Sequence, residues 1–139
     1  MSAFDNATKF FHACETLQGW EGCKAYVAEG ASFEAQCEPL VDVDSVEAYC
    51  DWMAGLGKGP LQGCSYKLNS SSYDESTATA MFFGTFTATH NSDGGPVAPT
   101  NRETNTDYVY ALTMNSDGKV ERMCKIWNCL LYTSDAADE

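Results

Sequence analysis

Residues 106–127, TDYVYALTMNSDGKVERMCKIW, constrain the fold most, because they predict two β-strands joined by a tight turn. Asp117 and Gly118 can adopt the positive φ values of a two-residue hairpin turn, and a four-residue loop from Asn115 to Gly118 is the other possible register. Both registers give the same alternation of side chains. One face is then expected to carry Tyr108, Tyr110, Leu112, Glu121, Met123, Lys125 and Trp127. The other is expected to carry Val109, Ala111, Thr113, Val120, Arg122, Cys124 and Ile126.

Lys125 is unusual on this face, because its predicted neighbours are tyrosine, methionine and tryptophan side chains. Burial would favour its neutral amine, which could act as a base or form a Schiff base. Alternatively, its ammonium group reaches solvent at the rim or pairs with a carboxylate such as that of Glu121. Tyr108 and Tyr110 could donate hydrogen bonds to a developing oxyanion, or they could form an aromatic wall.

Composition predicts one domain and argues against several classes of partner. The 139 residues, 44% of them hydrophobic, suffice for one core. The formal charge of -12 would repel phosphate backbones and anionic membrane surfaces, so neither nucleic acid nor a membrane is expected as a partner. No apolar run approaches the roughly 18 residues of a membrane span, and the N-terminal residues lack a secretory pattern. A cytoplasmic location is therefore expected.

The seven cysteines are scattered along the chain and form neither a C-x-x-C pair nor a zinc spacing with histidine. They predict buried free thiols, which behave as small hydrophobic groups. The sequence also lacks a glycine-rich phosphate loop after a strand and a Ser-His-Asp elbow. We therefore expect no metal and no cofactor.

The last eleven residues, CLLYTSDAADE, resemble a translated sequencing-library adapter, which matches every residue of this segment. We expect a gene assembled from a transcriptome or metagenome, with a single domain over residues 1–128 and an artefactual tail over residues 129–139. Without Asp135, Asp138 and Glu139 the net charge changes from -12 to about -9, so the argument against nucleic acid stands.

The hydrophobic period changes along the chain from about 3.6 to 2 residues. The first part predicts helices over 4–17 and 20–28, the second ending at Gly30, and then a strand over 31–37. Asp44 and Glu47 have the form of a capping box that begins a third helix. From Cys64 onward the alternation predicts antiparallel strands over 64–73, 77–90, 104–115 and 119–128. This order favours an α+β fold with the N-terminal helices packed on one face of a curved antiparallel sheet.

With this order of elements, the turn and strand from Asp117 to Glu121 and the loop from Gly94 to Arg102 resemble the nuclear transport factor 2-like superfamily, and within it the SnoaL-like, polyketide cyclase-like group. The resemblance covers Phe4 to Asn128. It implies a cone-shaped α+β barrel of the cystatin-like type, a pocket for a small hydrophobic molecule and a homodimer. In the cyclases an Asp on the last strand acts as acid or base, and Lys125 stands at the best-matching position here.

Further candidate residues complete the predicted site. His90, at the end of a strand, could move protons at a pocket mouth or simply be exposed beside a loop. His12 is expected on the surface or rim of the first helix. The expected substrate-binding or core residues are Tyr26, Phe33, Trp52, Met53, Met123 and Trp127.

Two functions follow as hypotheses. The first is a cofactor-free acid/base enzyme of the cyclase, isomerase or dehydratase type that acts on a hydrophobic, oxygenated substrate. The second is a non-catalytic ligand-binding or dimerisation module. In either case a homodimer is expected through an outer sheet face that carries Val109, Ala111, Val120 and Ile126.

Overall fold

The computed structural model describes residues 2–35, 40, 42–58, 65–89 and 103–127. These residues form the helices α1 (Ala3–Glu15), α2 (Gly19–Cys23) and α3 (Val46–Lys58), with a 3-10 turn at Lys24–Tyr26 after α2. They also form the strands β1 (Val27–Ala35), β2 (Ser65–Asp74), β3 (Thr79–Thr89), β4 (Glu103–Met114) and β5 (Val120–Trp127).

The five strands form one curved sheet in the order β1-β5-β4-β3-β2. β1 runs parallel to β5, whereas the other neighbouring pairs are antiparallel. The sheet stays open, with β1 and β2 at its edges, and the helices pack against it. The predicted α+β class, with helices on a curved and mostly antiparallel sheet, is confirmed.

The first helix carries an apolar face into the core. Ser2 caps it, because the Ser2 Oγ atom accepts a hydrogen bond from the Asp5 backbone N–H at 3.0 Å. Phe10, Phe11 and Cys14 are buried on this helix. The helix ends before the predicted Leu17, since Leu17 has a φ of 62° and has left the helical conformation.

The predicted helix over 20–28 is wrong at its C-terminal end, and the following strand begins earlier than predicted. α2 ends at Cys23, and β1 already begins at Val27. Gly30, which was expected to end the helix, lies within β1 with a φ of 74°. The β1–β5 register shifts between Val27 and Ser32, so this glycine serves a bulge in the strand.

The N-cap of α3 also differs from the prediction. The Ser45 Oγ atom accepts a hydrogen bond from the Ala48 backbone N–H at 3.1 Å, so Ser45 takes the capping role predicted for Asp44. The Asp44 carbonyl instead accepts from the Phe33 N–H at 3.0 Å. The buried stripe of α3 contains Val46, Tyr49, Cys50 and Met53.

The β4–β5 hairpin confirms most of the predicted faces. Tyr110 pairs with Lys125 and Leu112 with Met123, and all four side chains are buried. The register shifts between Thr113 and Met114, because Thr113 pairs with Arg122 and Met114 with Val120. This bulge turns Val120 inward and leaves Glu121 exposed, so the predicted faces of these two residues are wrong.

Candidate active site

The core contains two oppositely charged residues. Glu15, at the end of α1, is only 3% exposed, and Lys125, on β5, is 7% exposed. A buried charged group is costly unless it is hydrogen-bonded or paired. These two residues therefore mark the part of the core where polar interactions are concentrated.

Two tyrosine hydroxyl groups from β4 donate hydrogen bonds to the Glu15 carboxylate. The Tyr108 hydroxyl donates to Oε2 at 2.9 Å, and the Tyr110 hydroxyl donates to Oε1. The Tyr49 hydroxyl of α3 lies 2.9 Å from that of Tyr110. Because the Tyr110 proton is used by Glu15, Tyr49 donates to the Tyr110 oxygen. One carboxylate is thus held by a short chain of phenols from two elements.

The environment raises the pKa of Glu15 above its usual value, because burial disfavours the carboxylate. The positive charge of Lys125 and the hydrogen bonds from Tyr110 and Tyr108 act in the opposite direction. Burial also raises the pKa of Tyr108 and that of Tyr110, so both phenols stay protonated and act as donors. The arrangement can hold or release a proton at Glu15.

The Lys125 ammonium group lies among aromatic rings. Its Nζ atom is 4.1 Å from the ring centroid of Trp127 and 5.2 Å from that of Tyr49. It is also 5.6 Å from the centroid of Tyr108 and 5.8 Å from that of Tyr110. An ammonium group in this position is attracted to the faces of the surrounding rings. Lys125 is buried and Glu121 is exposed, so the carboxylate whose charge acts on Lys125 is that of Glu15 and not that of Glu121.

Gly84 on β3 makes room for one member of the cluster. It pairs with Tyr108 across the β3–β4 ladder. A Cβ atom at Gly84 would lie 2.8 Å from the Tyr108 hydroxyl oxygen and 3.0 Å from the Lys67 carbonyl oxygen. A larger residue would therefore push Tyr108 out of the position from which it donates to Glu15.

The predicted substrate-binding residues differ in burial and in their contacts. Phe33 stacks on Tyr49 with ring centroids 4.4 Å apart. Trp52 contacts Trp127 edge to face at 5.8 Å, and both indoles are half-buried. Met53 and Met123 are buried in the core, whereas Tyr26 is half-buried in the turn after α2. Trp52, Trp127 and Tyr26 are thus the half-buried members of this set, whereas Phe33, Met53 and Met123 are buried.

Two histidines were singled out in the sequence. His90 lies outside the described residues. His12 is exposed on α1, as predicted, and its Nδ1 atom is 2.7 Å from the Tyr66 hydroxyl oxygen.

Sequence reasoning missed Glu15, the central residue of the cluster. A signal was present, since Glu15 follows Phe11 by four residues and therefore lies on the same side of α1. An acidic residue at that position of an apolar stripe indicates a buried carboxylate. Tyr49, whose hydroxyl group joins the cluster, was likewise not among the predicted site residues.

The described cysteines agree with the prediction of free thiols. Cys14, Cys23 and Cys50 are buried, and Cys124 is half-buried. Cys37, Cys64 and Cys129 lie outside the described residues. In the described ranges, the thiols of Cys14, Cys23 and Cys50 form the one group of possible metal donors, and Glu15 is not part of it.

Comparison with solved structures defines the fold. The chain is similar to a nuclear transport factor 2-like protein from Burkholderia thailandensis, with a TM-score of 0.74 and 14% identity over 100% of this chain and 98% of that chain. It is also similar to a candidate SnoaL-like polyketide cyclase from Jannaschia sp. CCS1, with a TM-score of 0.74 and 16% identity over 95% and 91% of the two chains. The pinacolase BvnE from Penicillium brevicompactum matches with a TM-score of 0.71 and 11% identity over 99% and 92%.

No protein-family profile matches the sequence, and no curated protein does. The structural matches show that the chain has the nuclear transport factor 2-like fold. Across the described residues, none of the helices is long and apolar enough to cross a membrane.

Proposed function

We propose that this protein is a SnoaL-like, cofactor-free acid/base enzyme that acts on a small, hydrophobic and oxygenated molecule. The reaction class is that of an isomerase, cyclase or dehydratase. The observation that carries the proposal is the Glu15 carboxylate, which accepts hydrogen bonds from Tyr108 and Tyr110 and is 3% exposed. Buried titratable groups with shifted protonation concentrate at functional sites.

In this proposal Glu15 removes a proton from the carbon next to a substrate carbonyl, and the Lys125 ammonium group stabilises the enolate oxygen that forms. The Glu15 carboxyl group then returns a proton to the same or a neighbouring carbon. Tyr108 and Tyr110 are positioning residues, since their hydroxyl groups hold the carboxylate. The apolar surface for the substrate is supplied by Trp52, Trp127, Phe33, Met53, Met123 and Tyr26.

Support also comes from fold neighbours that carry enzyme names. These include BvnE pinacolase and the epoxide hydrolase/cyclase-like enzyme SalBIII, which match with TM-scores of 0.71 and 0.65. Their identities of 11% leave the substrate of this chain to experiment. One fold can host many reactions, and a mostly apolar pocket with a few polar groups suits each of these enzymes.

The test is deuterium exchange into 2-tetralone, a bicyclic ketone with acidic α-protons, in D2O with the full chain. Mass spectrometry and proton NMR report the rate of exchange above that in buffer. We expect exchange with the wild-type protein and a loss on the order of 10²-fold or more in Glu15→Gln and in Lys125→Met. Asp107→Asn is the matched control, because Asp107 is exposed on β4 and accepts from the Thr85 hydroxyl at 2.8 Å.

An exchange rate in Glu15→Gln equal to that of the wild type would remove Glu15 from the mechanism. Exchange that falls equally in Asp107→Asn would show that the loss is not specific to the buried cluster. In a separate experiment, mass spectrometry of small molecules that the protein retains during purification would identify the substrate class directly.

The alternative is a non-catalytic ligand-binding module. It is favoured by the observation that, over the residues the structure describes, every buried side-chain nitrogen and oxygen atom has a hydrogen-bond partner. The cluster can therefore be satisfied without a substrate. Quenching of Trp52 and Trp127 fluorescence by 2-naphthol, without deuterium exchange into 2-tetralone, is the result that this alternative predicts.

We also propose a homodimer in the cytoplasm. The outer sheet face exposes Phe83 and Ile126, which are 41% and 59% exposed, and this apolar surface suits a dimer interface.

The described cysteines are free thiols, which suits the reducing environment of the cytoplasm. Small hydrophobic molecules are the expected ligands, and neither nucleic acid nor a membrane is expected as a partner.

A further inference from the structure

Three thiols from three different helices meet in the core. Cys14 belongs to α1, Cys23 ends α2, and Cys50 belongs to α3. Their Sγ atoms all lie within 4.8 Å of one another. Their residues are 1%, 0% and 1% exposed. The positions are far apart in sequence, so this meeting is a product of helix packing alone.

The spacing suits a single bound ion. Three sulfur atoms at about 2.3 Å from a central metal lie about 4 Å apart when the three ligands are arranged in a trigonal plane. The observed spread of at most 4.8 Å needs only small side-chain rotations to reach that geometry. The site is already assembled by the packing of α1, α2 and α3, so the backbone has no large ordering cost left for binding.

The donor set selects the kind of ion. Among the described residues, no histidine, aspartate or glutamate joins the three thiols. Asp51 follows Cys50 directly, but its Oδ1 atom accepts a hydrogen bond from the Trp20 backbone N–H at 3.0 Å at the start of α2. Structural zinc sites use four ligands, whereas monovalent copper is a soft ion that sulfur ligands select and that three thiolates can hold without a fourth ligand.

We propose that Cys14, Cys23 and Cys50 form a three-thiolate binding site for a soft metal ion of the Cu(I) type. Binding releases the thiol protons to solvent as the copper–sulfur bonds form, and the ion keeps its oxidation state. The site is separate from the proposed acid/base function and does not depend on it. It lies next to the acid/base cluster, since the Cys14 Sγ atom is 3.8 Å from the Tyr110 hydroxyl oxygen.

The test uses the full chain, reduced under nitrogen and titrated with Cu(I) in acetonitrile against bathocuproine disulfonate as a competing chelator. We expect one equivalent to bind, with a thiolate-to-copper absorption in the ultraviolet and three sulfur neighbours in X-ray absorption spectra. Replacement of Cys14, of Cys23 or of Cys50 by serine should weaken copper binding tenfold or more. Loss of an outer-shell partner already lowers metal affinity roughly 10-fold to 100-fold, and loss of a direct ligand should cost at least as much.

Two variants keep the test decisive. Cys124→Ser is the matched control, because Cys124 lies on β5 outside the trio and should leave affinity unchanged. A variant with Cys37, Cys64, Cys124 and Cys129 all replaced by serine retains only the trio and should still bind one equivalent. If a serine variant fails to fold by circular dichroism, the alanine variant at the same position replaces it.

Loss of copper binding in the trio-only variant would overturn the proposal. Unchanged affinity after Cys23→Ser, or after Cys23→Ala if the serine form does not fold, would also overturn it. A fourth ligand in the absorption spectrum, with Zn(II) bound more tightly than Cu(I) under the same competition, would assign the site to a different ion and reject the three-thiolate copper site.

Discussion

Glu15 lies at the C-terminal end of α1, where the last helical carbonyl groups make a negative charge unfavourable. Its burial adds a desolvation cost. The two tyrosine hydroxyl groups and the charge of Lys125 offset that cost. At the scale of one residue, the carboxylate is therefore stable only because three partners from β4 and β5 converge on it.

We expect Glu15→Ala to lower the free energy of unfolding by about 3 kcal/mol, because it leaves two buried hydroxyl groups without their acceptor and Lys125 without its compensating charge. Glu15→Gln should cost less, since its carbonyl oxygen can still accept. Urea denaturation measures both. Glu34→Ala is the control, because the Glu34–Arg122 pair is 3.0 Å long but more than half exposed and should contribute about 0.5 kcal/mol or less. A wild-type stability for Glu15→Ala would contradict this account.

At the scale of the elements, β3 determines where β4 can place its tyrosines. We expect Gly84→Ala to displace Tyr108 and to lower the free energy of unfolding by about 1–3 kcal/mol, because the added Cβ overlaps the phenol. Gly55→Ala in α3 is the control, since nothing lies within 4 Å of its Cβ position and alanine should stabilise the helix by up to about 1 kcal/mol. Thermal melts and tyrosine absorption spectra would compare the two. Equal effects would show that Gly84 is not a packing requirement.

The β2–β3 turn contains a carboxyl group, that of Asp74, whose pKa can be tested. The Asp74 Oδ1 atom accepts hydrogen bonds from the Ser76 hydroxyl at 2.7 Å and from the Ser76 N–H at 2.9 Å. These donors hold the pKa of Asp74 below its usual value. A lowered carboxyl pKa contributes stability above the unfolded-state pKa, and that contribution is lost as the pH falls through the folded-state pKa. Ser76→Ala removes the hydroxyl donor, so it should raise the pKa of Asp74 toward its usual value. An NMR titration of the carboxyl carbon measures this change. An unchanged titration would show that the hydroxyl has no role.

At the scale of the molecule, the outer sheet face carries apolar side chains across three strands. Phe83 pairs with Val109, which in turn pairs with Ile126, and Met81 pairs with Ala111. Phe83, Ile126 and Met81 are more than a third exposed. Val120, which was expected on this face, is buried inside. This apolar patch, on a chain with a net charge of -12, is the surface that the proposed homodimer would bury.

We expect light scattering to give twice the 15.1 kDa monomer mass at micromolar concentration and moderate salt. Ile126→Glu and Phe83→Glu should shift the protein to monomer, because each would bury a charge in the interface. Ala48→Glu is the control and should stay dimeric, because Ala48 is exposed on α3, and this helix packs against the inner face of the sheet. A monomeric wild-type protein would reject the dimer.

Removal of residues 130–139 should change the free energy of unfolding by less than about 1 kcal/mol, because a segment that resembles a translated adapter is not expected to have been selected to pack. Cys129 is kept, as it directly continues the segment after β5. Thermal melts of both chains measure the change. A truncated protein that melts many degrees lower, or that aggregates, would show that this segment belongs to the fold.

Local sequence determined the features that depend on periodicity and turn chemistry. The alternation in residues 106–127 correctly placed Tyr108, Tyr110, Met123 and Lys125 on one face, since side chains in a strand alternate whatever the strand packs against. The apolar spacing of α1 and α3 and the order of elements likewise predicted the α+β fold. These properties arise within a few residues, so no tertiary information was needed.

Tertiary structure decided what the pattern could not. The bulge between Thr113 and Met114 reversed Val120 and Glu121, because the register of the whole hairpin, and not the local alternation, fixes that end of β5. Glu15 meets Tyr108 and Lys125 across 93 and 110 residues of chain, and the cysteines of three helices meet only when those helices pack. Distances between such residues are set by how helices and sheet pack around a shared core, which no short-range period records.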